Sequence, residues 1–241
     1  MREIDTLFID KGGVLLDNDA LSAQYRRLLG RFLAPRLGKT PATWSAANVP
    51  AFARQLERWK ASTTAAAGPA DVSGWFATDA REWLHDMCDE AGVPRPPAGE
   101  ADVIAPEALR YVREHLEVAV PRVLAALRVL RARGLTLHVA SGDAHDDLVQ
   151  YLGRIGARDL FDRVYGADLV NTWKLSSAYY RAILVDSGVD PRRAFVIDDS
   201  EKAITWAAEC GLEGFLVRRS VNEDFEDAVL RTFASVERAL R

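Results

Sequence analysis

Asp10 stands where a short apolar run, Thr6-Leu7-Phe8-Ile9, meets the polar turn Lys11-Gly12-Gly13. Three other places repeat that arrangement. Ser141 follows Leu137-His138-Val139-Ala140, Lys174 lies in a loop ahead of a helical segment, and Asp198-Asp199 follow Phe195-Val196-Ile197. Together these residue types can do phosphoryl chemistry. A carboxylate can attack phosphorus and form an acyl phosphate. A hydroxyl and an ammonium can hold the phosphoryl oxygens as charge develops. A pair of carboxylates can hold Mg²⁺, which neutralises phosphate and nucleophile together. The backbone N–H groups of Lys11, Gly12 and Gly142 add donors, because loop amides ahead of a helix favour anions.

Such residues meet only if the elements carrying them run side by side. The stretches 4–10, 135–140, 163–165, 194–197 and 214–217 read as short buried strands. Between them, 123–134, 143–155, 176–185 and 202–210 carry apolar residues at helical spacing, and 223–240 closes the chain as a helix. Strands alternating with helices imply a parallel sheet with right-handed crossovers. In a doubly wound sheet the carboxyl ends of neighbouring strands share one crevice. The first strand is separated from the others by about 100 residues of helix-rich sequence, too long for a simple connection. Helices are expected over 19–37, 41–60, 73–91 with Ser73 as cap, and 107–116, with a loop over 61–69. The fold class expected is therefore α/β, a doubly wound parallel sheet with an inserted α-helical domain. The core domain is 1–17 and 119–241, and the insertion is 18–118.

Composition narrows the partners. The chain has 241 residues, 49% apolar and 27% charged, with a net charge of −4. Clustered basic surface is absent from that balance, so nucleic acid is not an expected partner. No apolar run approaches ~18 residues, so no membrane span is expected. The start of the chain lacks a basic region followed by an apolar run, so a cytoplasmic location is expected. Cys88 and Cys210 have no metal-type spacing and read as two thiols in a reducing compartment. Only 5 of the 31 basic side chains are Lys, which makes Lys174 at a motif position the more informative.

Four motifs in order resemble the haloacid dehalogenase (HAD) superfamily, in the subfamily with a helical cap inserted after the first strand. They are Thr6 to Leu15, Leu137 to Ser141, Lys174 to Tyr180, and Phe195 to Ser200 followed by Ala203-Ile204 and Gly211. The resemblance covers 1–17 and about 119–220; the cap matches in position and helical character. It implies Asp10 as nucleophile, Lys174 as charge clamp, Ser141 as phosphate-binding hydroxyl, and Mg²⁺ held by Asp10, the Gly12 carbonyl, Asp198 and Asp199. It implies a small phosphorylated metabolite as substrate and a monomer or homodimer. Two positions depart from the family pattern. Family phosphatases carry a second Asp two residues after the nucleophile, as general acid and base, and here that residue is Gly12. Leu175 stands where a Pro is frequent after the motif Lys.

Gly12 leaves several readings open. One is a phosphatase that relies on a good leaving group or a substitute acid, with Asp143 and His145 as candidates. Others are carbon–halogen hydrolysis, carbon–phosphorus hydrolysis with a cap lysine (Lys39 or Lys60), or a scaffold that binds without turnover. Structural readings stand beside the functional ones. Ser141 and Asp199 could be helix N-caps. Asp143 could be a helix-start carboxylate. His85 and His115 could be ordinary cap residues. Trp44, Trp59, Trp75 and Trp83 could be packing or could line a specificity pocket.

Overall fold

The computed structural model describes residues 3–64, 71–117 and 120–241. Five parallel strands form one sheet: β1 (Thr6–Ile9), β2 (Thr136–Ala140), β3 (Arg163–Tyr165), β4 (Ala194–Asp198) and β5 (Glu213–Leu216). Their order is β3-β2-β1-β4-β5. The chain leaves β1, lays down β2 and β3 on one side, then returns to place β4 and β5 on the other. The fold is thus the doubly wound α/β class.

Leu7, Phe8, Ile9, Leu137, Val139, Val196 and Ile197 are all buried. Runs of consecutive buried apolar residues are what strands covered on both faces require. Helices α5 (Pro121–Ala132), α6 (His145–Arg154), α7 (Ser177–Ser187), α8 (Glu201–Ala208) and α9 (Phe225–Ala239) belong to this unit. Register sets the rim of the sheet. Ile9 pairs with Val139 on one side and with Ile197 on the other. The residues that follow those three, Asp10, Ala140 and Asp198, therefore arrive at the same edge.

The chain divides into two compact units, Met1–Asn18 with Val118–Arg241, and Asp19–Glu117. The second holds α1 (Asn18–Leu37) from its second residue, α2 (Pro41–Thr64), α3 (Val72–Ala91) and α4 (Ala98–His115). Trp44 and Trp83 are buried in it, and the Trp44 indole N–H donates to the Gly38 carbonyl at 2.7 Å. Trp59 and Trp75 are half-buried.

Several boundaries differ from expectation. Helix α2 continues through Thr64, so 61–64 are helical where a loop is expected, and 65–69 lie outside the described residues. Helix α4 begins at Ala98 rather than 107, with Pro106 inside it. Ser73 is not a cap; Asp71 holds that position before α3 and makes no side-chain capping bond. Both cysteines are free. No helix among the described residues is long and apolar enough to cross a membrane.

Candidate active site

Asp10 follows β1 and draws its backbone in line with β4, its N–H donating to the Ile197 carbonyl at 2.9 Å. Lys174 comes from the loop between β3 and α7 and reaches across the rim. Its ammonium lies 2.8 Å from Asp10 Oδ1 and 2.7 Å from Asp198 Oδ2, and it donates to the Ala140 carbonyl at 2.8 Å. One cation thus joins the ends of β1, β2 and β4. Asp198 is the last residue of β4, is 1% exposed, and accepts from the Ser200 N–H through Oδ1 at 2.8 Å.

Asp199 completes the acidic set. Carboxylate oxygens of Asp10, Asp198 and Asp199 all lie within 4.8 Å of one another. Asp199 approaches so closely because residue 13 has no side chain. A Cβ on Gly13 would stand 2.0 Å from Asp199 Oδ2, and Gly13 also takes φ +66°. Space and backbone conformation both demand glycine there. Asp199 is not the N-cap of α8; Ser200 is, its hydroxyl accepting from the Ala203 N–H at 3.3 Å.

On the β2 side, Ser141 is buried and is not a helix cap, since Ala144 precedes α6. Its hydroxyl donates to Asp143 Oδ2 at 3.0 Å. The same carboxylate oxygen lies 2.6 Å from the Lys11 ammonium. Tyr179 fixes this loop from below: its phenol lies 3.0 Å from the carbonyl oxygens of both Ser141 and Tyr165. Gly142 faces the Lys174 loop, a Cβ there falling 3.7 Å from Lys174 Cβ. His145 is turned to its own neighbourhood, with Nδ1 2.8 Å from the Val164 carbonyl.

The electrostatics follow from burial. Burial raises the Asp10 carboxyl to about 6 against the pull of Lys174, and neighbouring Asp198 adds to the rise. Asp199 is also raised, by burial and then by Asp10. Burial opposes the charge on Lys174, yet Asp10 and then other neighbours hold it well above its ordinary value. Lys11 shows the same balance, burial against Asp143, with a net rise. Burial opposes ionisation of Asp143, but Lys11 prevails and keeps it below the usual carboxylate range. Four carboxylates (Asp10, Asp143, Asp198, Asp199) stand against two ammoniums (Lys11, Lys174), which leaves two negative charges, matching one divalent cation. A hard cation suits an all-oxygen donor set. The residues present therefore fit such an ion.

The structure brings together Asp10, Lys174, Asp198 and Asp199 directly. It places Ser141, Gly142, Lys11 and Gly12 on the two adjoining loops. Lys39 and Lys60 lie in the other compact unit. Sequence reasoning missed the Lys11–Asp143 pair, the Tyr179 prop and the Gly13–Asp199 approach. Gly-Gly after a strand was the one visible signal; the other two depend on tertiary proximity.

A parallel α/β sheet thus carries a carboxylate, a bridging lysine and an acidic doublet together at its carboxyl rim. The model of the haloacid dehalogenase-like hydrolases matches residues 4–211, and the chain belongs to that family. Enolase-phosphatase E1 of Parvibaculum lavamentivorans is 32% identical over 125 residues, 48% of this chain and 51% of that protein. The chain thus spans about half the length of this curated relative. Among solved structures, L-2-haloacid dehalogenase of Xanthobacter autotrophicus, with chloropropionic acid covalently bound, superposes with TM-score 0.62. It is 19% identical, covering 96% of this chain and 83% of that one. The Bacillus subtilis protein YfnB, solved bound to magnesium, gives TM-score 0.65 at 15% identity, covering 99% of each chain. At these identities the structures speak to the fold.

Proposed function

We propose that this hydrolase is a Mg²⁺-dependent phosphatase of a small phosphorylated metabolite, working through an aspartyl-phosphate. The observation that carries the reading is the three-carboxylate cluster in which a single lysine bridges only Asp10 and Asp198. Carboxylates crowded in a partly buried site repel one another, and an excess of two negative charges fits a divalent cation. Displacing halide from carbon with an aspartate has no such requirement.

Asp10, Asp198 and Asp199, with the Gly12 carbonyl, would hold the ion. Mg²⁺ would supply charge neutralisation for the phosphoryl group and for Asp10. Lys174 holds Asp10 Oδ1, keeping the carboxylate ionised and fixing its orientation. Asp10 attacks phosphorus: its O–P bond forms, the substrate P–O bond breaks, and the leaving oxygen takes the electron pair. Ser141 and the N–H groups of Gly142, Lys11 and Gly12 bind the phosphoryl oxygens, with donors set in place before charge develops. Water then adds to phosphorus, the Asp10 O–P bond breaks, and phosphate departs with the water's oxygen and protons.

Asp10→Asn tests this directly. On a panel of phosphorylated metabolites with Mg²⁺, phosphate release by the variant is expected to fall to background. Turnover equal to wild type would defeat the assignment. The missing acid at Gly12 also suits carbon–halogen hydrolysis; halide release from a 2-haloacid without added metal, with no phosphate release, would replace the present reading.

A further inference from the structure

We infer that Asn18 occupies the place of the missing acid and restricts this site to phosphoryl donors whose leaving group departs unprotonated. The inference rests on the phosphatase reading and names its substrate class. Gly12 does not adopt a left-handed conformation. Its backbone would accept a side chain, so the surrounding space decides what that position can do. A Cβ built there would meet Asn18 Nδ2 at 3.3 Å, Asn18 Oδ1 at 3.4 Å and Asp10 Oδ2 at 3.7 Å. The volume above Gly12, beside the attacking carboxylate, is therefore bordered by a carboxamide from the first residue of α1.

A carboxamide donates through Nδ2 and accepts through Oδ1, and it carries no proton to give at neutral pH. It can orient a water or a leaving oxygen but cannot protonate either. Of the other proton carriers, Asp143 is bound to Lys11 at 2.6 Å and His145 Nδ1 faces the Val164 carbonyl, while Asp199 lies against Gly13 and is not among the groups nearest a Cβ at Gly12. The first step then releases an anion. The Asp10 O–P bond forms and the leaving oxygen departs with the electron pair and no proton. In the second step water adds to phosphorus, the carboxylate leaves, and both protons of that water remain on the phosphate product. Acyl phosphates, aryl phosphates and phosphoanhydrides can react this way; simple alkyl esters would have to expel an alkoxide.

The experiment compares kcat/KM for acetyl phosphate, p-nitrophenyl phosphate, phenyl phosphate and β-glycerophosphate with Mg²⁺. The variants are Asn18→Ala, Gly12→Asp and the pair together. Wild type is expected to fall at least about 10³-fold from p-nitrophenyl to alkyl phosphate, the scale of an absent general acid. Asn18→Ala is expected to slow p-nitrophenyl phosphate about 10-fold. Gly12→Asp alone must displace the Asn18 amide, so it should narrow the leaving-group gap less than Gly12→Asp with Asn18→Ala. Equal rates for aryl and alkyl esters in wild type, or a full gain from Gly12→Asp alone, would overturn the inference while leaving the phosphatase reading intact. Phosphate release from no ester or anhydride would instead defeat that reading, and this inference with it. The wild-type comparison stands alone if a variant does not fold.

Discussion

Two carboxylate sites in this molecule, each with one buried member, are solved in opposite ways. In the helical unit, Asp79 is 4% exposed and fully answered: Gln55 donates to Oδ2 at 2.5 Å and Arg58 to Oδ1 at 2.8 Å. Arg58 also reaches Asp86 at 2.5 Å, and Arg54 joins Asp86 to Glu90. At the sheet rim, Asp10 and Asp198 share one lysine, and Asp199 stands within 4.8 Å of both carboxylates with no ion pair to it among the described residues. In the first site each of the three carboxylates has a guanidinium partner from α2, and the pairs serve packing of α2 on α3. The second keeps an excess of carboxylates, and it shows in the raised Asp10 and Asp199 carboxyls. A structural ion pair is closed; a site for chemistry is left open.

The sharpest way to break that contrast is Lys174→Met. At the rim the lysine holds two carboxylates, so its loss should cut kcat/KM on p-nitrophenyl phosphate about 10³-fold, the scale of losing a preorganised electrostatic contact. A loss below 10-fold would place Lys174 with the structural pairs. Next in size is Asp79→Asn. Removing the Asp79 charge leaves Arg58 with Asp86 alone, a loss of about 1–3 kcal/mol, the range for weakening a buried hydrogen bond to a charged group. Urea unfolding should register it while kcat stays near wild type. A change in kcat with unchanged stability would reverse the assignment.

Asp199→Asn should have the opposite sign. The folded protein holds the Asp199 carboxyl above its ordinary value, through burial and then Asp10. A raised carboxyl means the ionised form is disfavoured in the fold, so stability it contributes at low pH is lost as pH rises past it. At pH 7 without divalent ions, neutralising the side chain should therefore raise Tm by a degree or two, on the order expected for relief of one partly exposed repulsion. With saturating Mg²⁺ the wild type should gain more than the variant. A variant less stable than wild type in EDTA would show that the rim is already balanced.

The sheet was readable because each strand is a run of buried apolar residues ending at a polar one: Ile9 before Asp10, Ala140 before Ser141, Ile197 before Asp198. That same ending made the rim residues visible. Helix α4 was legible only in its second half, because Pro106 reads locally as a breaker, and the structure carries the helix across it from Ala98. Nothing local announces that Asn18 borders Gly12, or that Asp199 needs Gly13 to be bare. The Asp199 approach joins loops carried by neighbouring strands, whereas the Asn18 approach comes from the single β1–α1 connection folding back, with the Gly13 N–H donating to the Leu16 carbonyl at 2.9 Å. The Lys11–Asp143 pair is of the first kind, joining loops about 130 residues apart in sequence.

His138 offers a third case, neither balanced nor open. It lies in β2, is 4% exposed, and its Nδ1 is buried without a hydrogen-bond partner. Its ring sits 5.2 Å from Phe8 and 5.9 Å from Tyr165, centroid to centroid. Burial lowers its pKa from 6.5; Asp162 pulls the other way, while Arg163 and Arg131 add to the drop. The unfolded chain therefore takes up this proton first. Stability supplied by the neutral ring is complete above pH 6.5 and declines as pH falls below it toward the folded value. His138→Leu removes that dependence and keeps an apolar body in the sheet. Asp10, raised to about 6, titrates in the same window with the opposite sign, so the informative quantity is the difference between variant and wild type. From pH 8 to 5.5 the wild-type Tm should fall relative to the variant's, by a degree or so. Parallel curves would mean the fold accommodates a charged ring there, and that a buried polar group in this sheet need be neither paired nor functional to be tolerated.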